Sequence, residues 1–523
     1  MILLRWSMVV LAAALFLYAW TPQARQGSEA NREIRITHGI ASGDVTSRSA
    51  VIWARASDRA DMHVDYDISP GFPNPRSKGT SAASEATDYT ASVKLERLKP
   101  ATRYYYRAWF SRQEKDGRSN VSQRLVGTFR TAPAASARRP VRFVFGGDLG
   151  GQRYCRRVDQ GYAIFSTMKS LAPDFFVANG DMIYADGDCP AIGPDGWQNI
   201  PGDFPSVADP LVSWTDPVGV RDVYLEHWRY NRADPHFQSF LQGTSMYAQW
   251  DDHEVINDFG GSWSYLNARK IARSGYPNLV RAGRDAVFSY SPIDRNPDEP
   301  TRIYRSFNWG KFLDLFILDA RSYRSRNDLP DTPENRKTML GRSQLEWLKQ
   351  GLLNSKATWK VISSDVPLSI PTGGNDGASG RDGWANGTTP DFSSQTGFER
   401  ELLELVKFLD DKDIFNVVVI TTDVHFAATI RYEVDAKGDG DTLLFHELVT
   451  GPLNARRGVP PSRLDPTLNP VLLYSEGGIF NFGYVRIYEG SDGKVHLVAD
   501  VRGEDGQPRP GSLLNLVSQE PRR

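Results

Sequence analysis

Carboxylates follow two short apolar runs in the first half of the chain. The runs 143–150 (FVFGGDLG) and 175–184 (FFVANGDMIY) contain Gly-Asp at their ends, with Asp148 and Asp181 as the acids. A glycine before the aspartate lets a strand end turn sharply, so that the carboxylate can enter a crowded site. Tyr184 could return its phenol oxygen to the same point, and a phenolate suits Fe³⁺ better than Zn²⁺. A lone Gly-Asp is usually only a turn, but two of them at separate strand ends indicate a metal site.

Four further apolar runs also end in polar clusters. Asp252 and His253 end one run, and Asp423 and His425 end another with an i, i+2 spacing that places both side chains on one side of the chain. Alone, an Asp-x-His is more often a hydrogen-bonded pair than a ligand pair. Ligands of open α/β sheets gather outside the carboxyl ends of the strands, so six such runs predict one sheet with the site at its edge. The four runs are 246–254 (MYAQWDDHE), 312–321 (FLDLFILDAR), 359–365 (WKVISSD) and 416–425 (NVVVITTDVH).

From residue 141 onward, strands alternate with amphipathic stretches. This alternation predicts an α/β catalytic domain over 141–505, with helices covering the faces of parallel sheets. Two long loops, 185–218 and 371–396, are rich in Gly, Pro, Asp and Trp and are predicted to be lids or walls over the site. The predicted helices are 162–171, 221–230, 343–353 and 397–409.

Residues 34–133 have the pattern of a small all-β domain. Short strands separated by turn residues are typical of a sandwich. The run 98–104 (LKPATRY) matches the L-x-P-x-T-x-Y corner of fibronectin-III-like (Fn3-like) domains, in which the hydroxyl of Tyr104 would bond back to the turn. The Pro/Ala/Ser-rich stretch 131–140 is the predicted boundary of this domain.

Both ends of the chain lie outside these two domains. Residues 1–30 contain Arg5 before an apolar run, 6–20, that is shorter than the roughly 20 residues of a spanning helix, which indicates a signal peptide. The sequence 22–24 (PQA) is a poor cleavage site, so an uncleaved N-terminal anchor is the alternative. In both cases we expect export to the periplasm, the extracellular space or the outer side of a membrane. Residues 506–523 are predicted to be a polar tail.

Taken together, the motifs resemble a known superfamily. Gly-Asp-x-Gly, Gly-Asp-x-x-Tyr, x-Asp-His-Glu and Asp-x-His, in this order, look like the calcineurin-like metallophosphoesterases, which are related to purple acid phosphatases. The resemblance implies a metallophosphoesterase β-sandwich flanked by helices behind the Fn3-like domain. Three more stretches look more specifically like the PhoD-type alkaline phosphatases and phosphodiesterases, namely 38–44 (HGIASGD), 250–255 (WDDHEV) and 318–324 (LDARSYR).

The resemblance implies an iron site. Asp148, Asp181, Tyr184 and His425 would bind Fe³⁺, and Asp181 would bridge to a second cation. Many PhoD-type members carry a cysteine where this chain has Asp148, so the iron ligand set departs from theirs.

The second cation site departs from the purple acid phosphatase pattern. Asp252 stands where those enzymes have Asn, Asp423 stands in place of a histidine, and the middle histidine motif is absent, with Asp365 nearby. A ligand set made of oxygens favours Ca²⁺ or Mn²⁺ over Zn²⁺.

The implied reaction is hydrolysis of phosphomonoesters or phosphodiesters by a metal-bound hydroxide that attacks in line. His253 would assist the leaving oxygen, and Arg321, with Arg153 as a second candidate, would clamp the phosphoryl oxygens. A salt bridge to Asp319 is the alternative for Arg321.

The rival functions are an extracellular binding or adhesion protein with a degenerate, inactive fold, and a lipase or esterase, for which no G-x-S-x-G elbow is found. With 62 basic and 63 acidic residues we expect no specific nucleic-acid recognition, and we expect a monomer acting on small or polymeric phosphoesters.

Two smaller features leave alternatives open. Cys155 and Cys189 follow the first two motifs, and in an oxidising compartment they would form a disulfide. The alternatives are free thiols or Cys155 as an iron ligand. The acidic, glycine-containing run 433–441 has the look of a Ca²⁺ loop but lacks the distal Glu, so a solvated hairpin turn is the preferred interpretation.

Overall fold

The computed structural model describes residues 33–260, 274–327, 331–372, 382–385 and 397–519. The predicted targeting segment, 1–30, and most of the predicted lid 371–396 lie outside the described residues. Within the described part, no helix is long and apolar enough to cross a membrane.

The six polar-ended runs belong to two sheets, so the prediction of a single sheet is wrong. Period-two alternation identifies a strand but carries no information on which sheet the strand joins. Three of the runs form the centre of a nine-stranded sheet, with parallel pairing among β9 (Val141–Gly146), β10 (Phe175–Asn179) and β11 (Ser245–Gln249). The other three are parallel neighbours in a seven-stranded sheet, namely β13 (Leu313–Ile317), β14 (Trp359–Ser363) and β15 (Val417–Thr421).

The two sheets pack face to face in the catalytic domain. Phe143, Phe145 and Val177 of the first sheet meet Leu315 and Val418 of the second in a shared buried core. The opposite face of each sheet is covered by helices, which gives the four layers of a β-sandwich flanked by helices. The helices over the nine-stranded sheet are α1 (Ile164–Ser170), α2 (Pro217–Arg232), α3 (Pro235–Leu241) and α4 (Tyr276–Tyr290), and those over the seven-stranded sheet are α5 (Gly341–Asn354) and α6 (Glu399–Asp411).

The remaining strands complete the two large sheets. In the nine-stranded sheet, β19 (Asn481–Glu489) pairs antiparallel with β9 and is followed outward by β20 (Val495–Gly503) and β21 (Leu514–Val517). The predicted polar tail 506–523 therefore contains an edge strand, because alternate leucines, Leu514 and Leu516, pack on the core between the sheets. The seven-stranded sheet also contains β12 (Arg305–Trp309), β16 (Ala427–Val434), β17 (Leu443–Val449) and β18 (Val471–Glu476).

Four predicted helices match α1, α2, α5 and α6, whereas α3 and α4 were not foreseen. The seven residues of α3 are too few to display a helical period, although Asp234 caps it by accepting hydrogen bonds from the amides of His236 and Phe237. Gly283 and several aromatic and β-branched residues lower the intrinsic helix propensity of α4, which forms because its apolar side is buried.

The N-terminal region is a sandwich with the expected corner. The hydroxyl of Tyr104 accepts a hydrogen bond from the amide of Lys99 at 2.9 Å, as the L-x-P-x-T-x-Y motif predicts. Its five-stranded sheet contains β3 (Ala60–Asp67), β4 (Arg76–Ala83), β6 (Arg103–Gln113), β7 (Ser119–Val121) and β8 (Leu125–Arg130). Its other strands are β1 (Ile36–Gly43), β2 (Ala50–Ala56) and β5 (Thr90–Leu95).

The N-terminal sandwich is continuous with the catalytic domain. Strand β1 pairs parallel with β11 through Gly43 and Met246, so that β1, β2 and β5 complete the nine-stranded sheet. Just after β1, the buried carboxylate of Asp44 accepts two hydrogen bonds from the guanidinium of Arg305, each at 2.8 Å. The two predicted domains therefore share one sheet.

A second ion-pair cluster at this junction is centred on Asp88. Its carboxylate contacts Arg55 of the sandwich at 3.0 Å and Arg229 of α2 at 2.8 Å, and it accepts a hydrogen bond from the hydroxyl of Tyr290 in α4. Burial raises the pKa of Asp88, but the hydrogen bonds and charges of Arg55 and Arg229, with the Tyr290 hydroxyl, outweigh it and lower the pKa below its usual value. This cluster joins three elements from both sides of the junction.

We predict that Asp88→Asn destabilises the protein by about 2 kcal/mol at pH 7, because two arginines lose a charged acceptor. Asn tolerates the left-handed backbone at this position (φ 50°), so the change isolates the charge. Since the folded pKa is lowered, this stability is present above a pH of about 4 and is lost below it, so the difference should shrink in acid. Chemical denaturation of the wild type and the variant, at pH 7 and in acid below that limit, measures the difference in their free energies of unfolding.

The matched control is Glu96→Gln, which removes a half-exposed partner of Lys78. An exposed pair contributes only about 0–1 kcal/mol, so the control should unfold close to wild type. Equal stabilities for both variants would show that Asp88 does not hold the junction.

Candidate metal centre

The carboxyl ends of β9, β10, β11 and β15 meet where the two sheets converge. The turns after these strands bring Asp148, Asp181, Asp252 and Asp423 together, as the sequence predicted. Ligand atoms of Asp148, Asp181 and His425 all lie within 4.8 Å of one another, which makes a first candidate cation position.

Tyr184 adds its phenol to this first position. Its hydroxyl lies 2.9 Å from Nε2 of His425, and the same nitrogen is 3.7 Å from Oδ1 of Asp148. The other ring nitrogen of His425 bonds to the carbonyl oxygen of Arg456, which fixes the ring orientation. All four residues predicted as iron ligands are therefore neighbours.

The carboxylates of a second candidate cation position lie beside the first cation position. Ligand atoms of Asp251, Asp252 and Asp423 lie within 4.8 Å of one another, and so do those of Asp181, Asp252 and His253. Asp181 thus belongs to the first group and also neighbours Asp252. This is the location that a bridging carboxylate requires.

Several of these carboxylate oxygens are buried without a partner. Both oxygens of Asp148 and one oxygen each of Asp251 and Asp252 make no hydrogen bond. Burial raises the pKa of Asp148 to about 8; the charge of His253 opposes this rise and that of Asp252 adds to it. Burial, and after it the charge of Asp252, raises the pKa of Asp181 well above its usual value. Unpaired buried carboxylates are costly unless a cation satisfies them, so the donor set fits bound metal ions.

The backbone is strained where it presents the ligands. Asp148 (φ 56°), Asp181 (φ 51°), Asp423 (φ 73°) and His425 (φ 62°) all adopt the left-handed conformation, which non-glycine residues rarely occupy. Such strain concentrates at functional sites. The preceding Gly147 is also required, because a Cβ there would stand 2.5 Å from the carbonyl oxygen of Gly180.

Glu254 positions the turns, a role that the sequence analysis did not assign. Its carboxylate accepts hydrogen bonds from the amides of Asp181 (2.9 Å), Met182 (2.6 Å) and Asp251 (2.7 Å). It thereby ties the turn after β10 to the turn after β11. Its place in the polar cluster 251–254 indicates that Glu254 lies near the site, but no local pattern shows that its carboxylate faces backbone amides.

His253 is oriented by Asp186, a second residue that the sequence analysis missed. Nδ1 of His253 lies 2.5 Å from Oδ1 of Asp186, whose other oxygen accepts the amide of Asn257 at 2.9 Å. Burial lowers the pKa of His253, but Asp186 and Asp252 outweigh it and raise the pKa to about 10. Tyr184 packs on the imidazole with ring centres 4.1 Å apart.

Arg321, the predicted phosphoryl clamp, is fully buried among carboxylates of the site. Its side chain is 0% exposed; Nε bonds to Asp251 and the terminal nitrogens pair with Asp382 at 2.8 Å. It also lies 3.6 Å from Asp423 and 3.8 Å from Asp252. Its guanidinium thus does not pair with Asp319, to which Arg321 donates through its backbone amide.

Arg321 instead offsets part of the negative charge beneath the second position. Asp365, noted in place of the missing histidine motif, is 3.9 Å from its Nε and belongs to no candidate ligand group among the described residues. Arg153, the second candidate clamp, is half-exposed and 4.0 Å from Asp188.

A fourth acidic group comprises Asp252, Asp258 and Asp382. Asp382 comes from a distant segment and also bonds to Arg324 and Asn327, at 2.7 Å and 2.8 Å. No strand-end signal precedes Asp258 or Asp382, so no local pattern selects them as site residues.

The cysteines form the expected disulfide. Cys155 and Cys189 are bonded, which excludes Cys155 as an iron ligand. The bond joins the loop after β9 to the loop after β10 across a sequence separation of 34 residues, and the lost chain entropy of the unfolded state contributes about 3–4 kcal/mol to stability.

The run 433–441 is the predicted solvated hairpin, because Asp435 accepts hydrogen bonds from the amides of Gly438 and Gly440.

Comparison with known proteins agrees with this geometry. The PhoD-like phosphatase model matches residues 144–487, and the PhoD-like phosphatase N-terminal domain model matches residues 21–133. Alkaline phosphatase D of Bacillus subtilis (strain 168) is 25% identical over 448 residues, which cover 79% of this chain and 68% of that protein.

Two solved structures share the fold. One is a structure of PhoD, with a TM-score of 0.68, 20% identity and coverage of 93% of this chain and 92% of that chain. The other is the purple acid phosphatase PPD1 from yellow lupin (Lupinus luteus) seeds, with a TM-score of 0.56, 12% identity and coverage of 92% and 73%.

These matches confirm the resemblance that the motifs indicated. The catalytic-domain model alone spans about two thirds of the chain and contains every predicted site residue. The protein is an enzyme of the alkaline phosphatase D type, a metallophosphoesterase that hydrolyses phosphate esters, and its chain belongs to the PhoD-like phosphatase family.

Proposed function

We propose that the enzyme hydrolyses phosphomonoesters or phosphodiesters at a site that holds two cations bridged by Asp181. The observation that carries this proposal is the position of Asp181 between two groups of ligands whose buried oxygens lack partners. A binding protein with a degenerate site would have no reason to retain these unpaired carboxylates, which cost folding free energy.

The first position would hold Fe³⁺. Asp148, Asp181, Tyr184 and His425 would be its ligands, and the phenol oxygen is the donor that favours Fe³⁺. The second position would hold Ca²⁺ or Mn²⁺ on Asp252 and Asp423, because carboxylate oxygens are the preferred ligands of these ions. Bound cations would neutralise the phosphoester and lower the pKa of a water ligand, which supplies the nucleophile.

The remaining chemistry falls to the side chains. His253, held through Nδ1 by Asp186, would donate a proton to the leaving oxygen and accept the next proton from solvent. Glu254 would keep Asp181 aimed between the two positions. Arg321 would not touch the substrate; it would moderate the repulsion among Asp251, Asp382 and Asp423 so that the site can assemble in the folded chain.

The disulfide supports the proposal that the protein acts outside the cytoplasm, since such bonds persist in oxidising compartments. We further propose that it acts as a monomer, with residues 1–30 serving as the signal peptide or an anchor.

Asp181→Asn tests the bridging role. Loss of one bridging charge should remove about 3 kcal/mol of transition-state stabilisation, which lowers kcat/KM at least ~100-fold. Assays with p-nitrophenyl phosphate and bis-p-nitrophenyl phosphate measure the loss and also rank monoester against diester. Asp188→Asn, an exposed aspartate in the same region, is the control and should stay near wild type. Near-wild-type turnover by Asp181→Asn would refute the bridge.

Tyr184→Phe tests the iron assignment. A phenolate bound to Fe³⁺ gives the protein a purple colour, so purified wild type should be coloured and should contain iron by elemental analysis. The variant should lose the visible band, whether or not it keeps iron. Uncoloured, iron-free wild type with full activity would exclude Fe³⁺, and the same elemental analysis identifies Ca²⁺ or Mn²⁺.

Glu254→Gln tests whether the turns need a charged anchor. Gln offers one acceptor oxygen and turns an NH₂ group toward amide donors, so we expect a fall of about 10–100-fold in activity together with reduced metal content. The matched control is Glu401→Gln, because Glu401 also accepts two backbone amides, from Met339 and Leu340, but outside the metal groups. The control should lose thermal stability only. An equal loss of activity in both variants would indicate general destabilisation.

A further inference from the structure

A polar cavity lies at the end of the seven-stranded sheet opposite the metal centre. Its volume is about 370 Å³. Thr358 and Asn416, which line it, directly precede β14 and β15, and Lys311 lies two residues before β13, whereas the metal ligands follow carboxyl ends of strands. Five-residue strands span about 17 Å, so the cavity is well separated from the metal centre.

Positive charge dominates this cavity. Asp413 is the one carboxylate among its lining residues, and five lining residues are cationic. Asp413 is itself paired, at 2.8 Å, with Lys437, which does not line the cavity. The five cations are Arg138, Lys311, Lys356, Lys360 and Lys494.

Four of these cations have no carboxylate partner among the described residues. Arg138 pairs with Glu489 at 2.8 Å. In the part of the chain that the structure describes, no carboxylate oxygen lies within 4 Å of the ammonium of Lys311, Lys356, Lys360 or Lys494. Like charges held together in this way repel one another, and an anion in the cavity would relieve that repulsion.

Two of the ammonium groups are held in place. Nζ of Lys311 donates to the carbonyl oxygen of Lys356 at 2.8 Å, and Nζ of Lys360 donates to the carbonyl oxygen of Phe415 at 3.2 Å. Each ammonium keeps further donors for a ligand, because it has three N–H groups. Burial lowers the pKa of Lys360; Asp314 opposes this, and the charge of Lys311 adds to it.

We propose that this cavity is a second anion site, which binds the phosphate group of a small molecule or of a lipid headgroup. Lysines bind phosphate as point charges, and fixed ammoniums from separate strand ends can contact different oxygens of one tetrahedral anion. The volume falls in the range of small-molecule sites, so the phosphate can be carried on a larger body. Neither the cations nor the cavity depends on the metals.

Lysine acetylation of the holoenzyme, read by mass spectrometry, tests the site. Inorganic phosphate at ten times its dissociation constant should slow acetylation of Lys311, Lys356 and Lys494 by about tenfold, and leave the exposed Lys115 unchanged. Parallel samples contain phosphatidylglycerol vesicles or phosphatidylcholine vesicles. Protection by phosphate identifies a soluble ligand, and protection only by phosphatidylglycerol identifies an anionic headgroup.

The double variant Lys311→Met, Lys360→Met removes both fixed charges and keeps the apolar stems. Protection of Lys356 and Lys494 should then be lost, while phosphate still inhibits hydrolysis at the metal centre as in wild type. Lys115→Met is the control. Should the double variant fold poorly, Lys494→Gln changes one exposed side chain and should weaken protection of Lys311.

Equal acetylation rates with and without phosphate and both vesicles would overturn the proposal, as would unchanged protection in the lysine variants. The acetylation readout does not depend on turnover, so an inactive enzyme with a protected cavity would count against the proposed function alone.

Discussion

The structure depends on holding many carboxylates in one buried place. Asp148, Asp181, Asp252 and Asp423 come from four separate strand ends, and burial together with mutual repulsion raises the pKa of most of them. No arrangement of apolar packing removes that cost; only cations do. Arg321 supplies one fixed positive charge, and the carboxylate oxygens without hydrogen-bond partners are left for bound cations.

The surrounding elements resist the tendency of this cluster to open. Facing sheets bring the carboxyl ends of their strands to a common edge, and the disulfide joins the two loops that carry Asp148 and Asp181. Glu254 is the least expected residue here, since it places another carboxyl group beside the cluster, and burial raises its pKa to about 7. It is tolerated because four backbone amides, rather than a cation, satisfy its oxygens.

Much of the site could be predicted from sequence, because a ligand at a strand tip leaves a local pattern. Gly-Asp after an apolar run requires only neighbouring residues to be recognised, and the Tyr104 corner is equally local. The division of the six runs between two sheets could not be predicted, since alternation is the same in either sheet. Asp186 and Asp382 were missed because their roles arise from contacts with His253 and Arg321, which are distant in sequence.

The case of Arg321 shows how charge placement decides a residue's role. Its position after β13 is the position of a ligand-facing residue, and the same motif in an open cleft would clamp a phosphate. Here the guanidinium pairs with Asp251 and Asp382, so it offsets the charge of the site's own carboxylates. At its opposite end the same sheet carries lysines that have no carboxylate partner in the part of the chain that the structure describes. Although the formal net charge of the chain is only −1, acidic residues gather at one end of these strands and basic residues at the other. Cations bound at the acidic end would offset its negative charge and favour binding of a phosphoester, whereas the basic end would hold an anion without them.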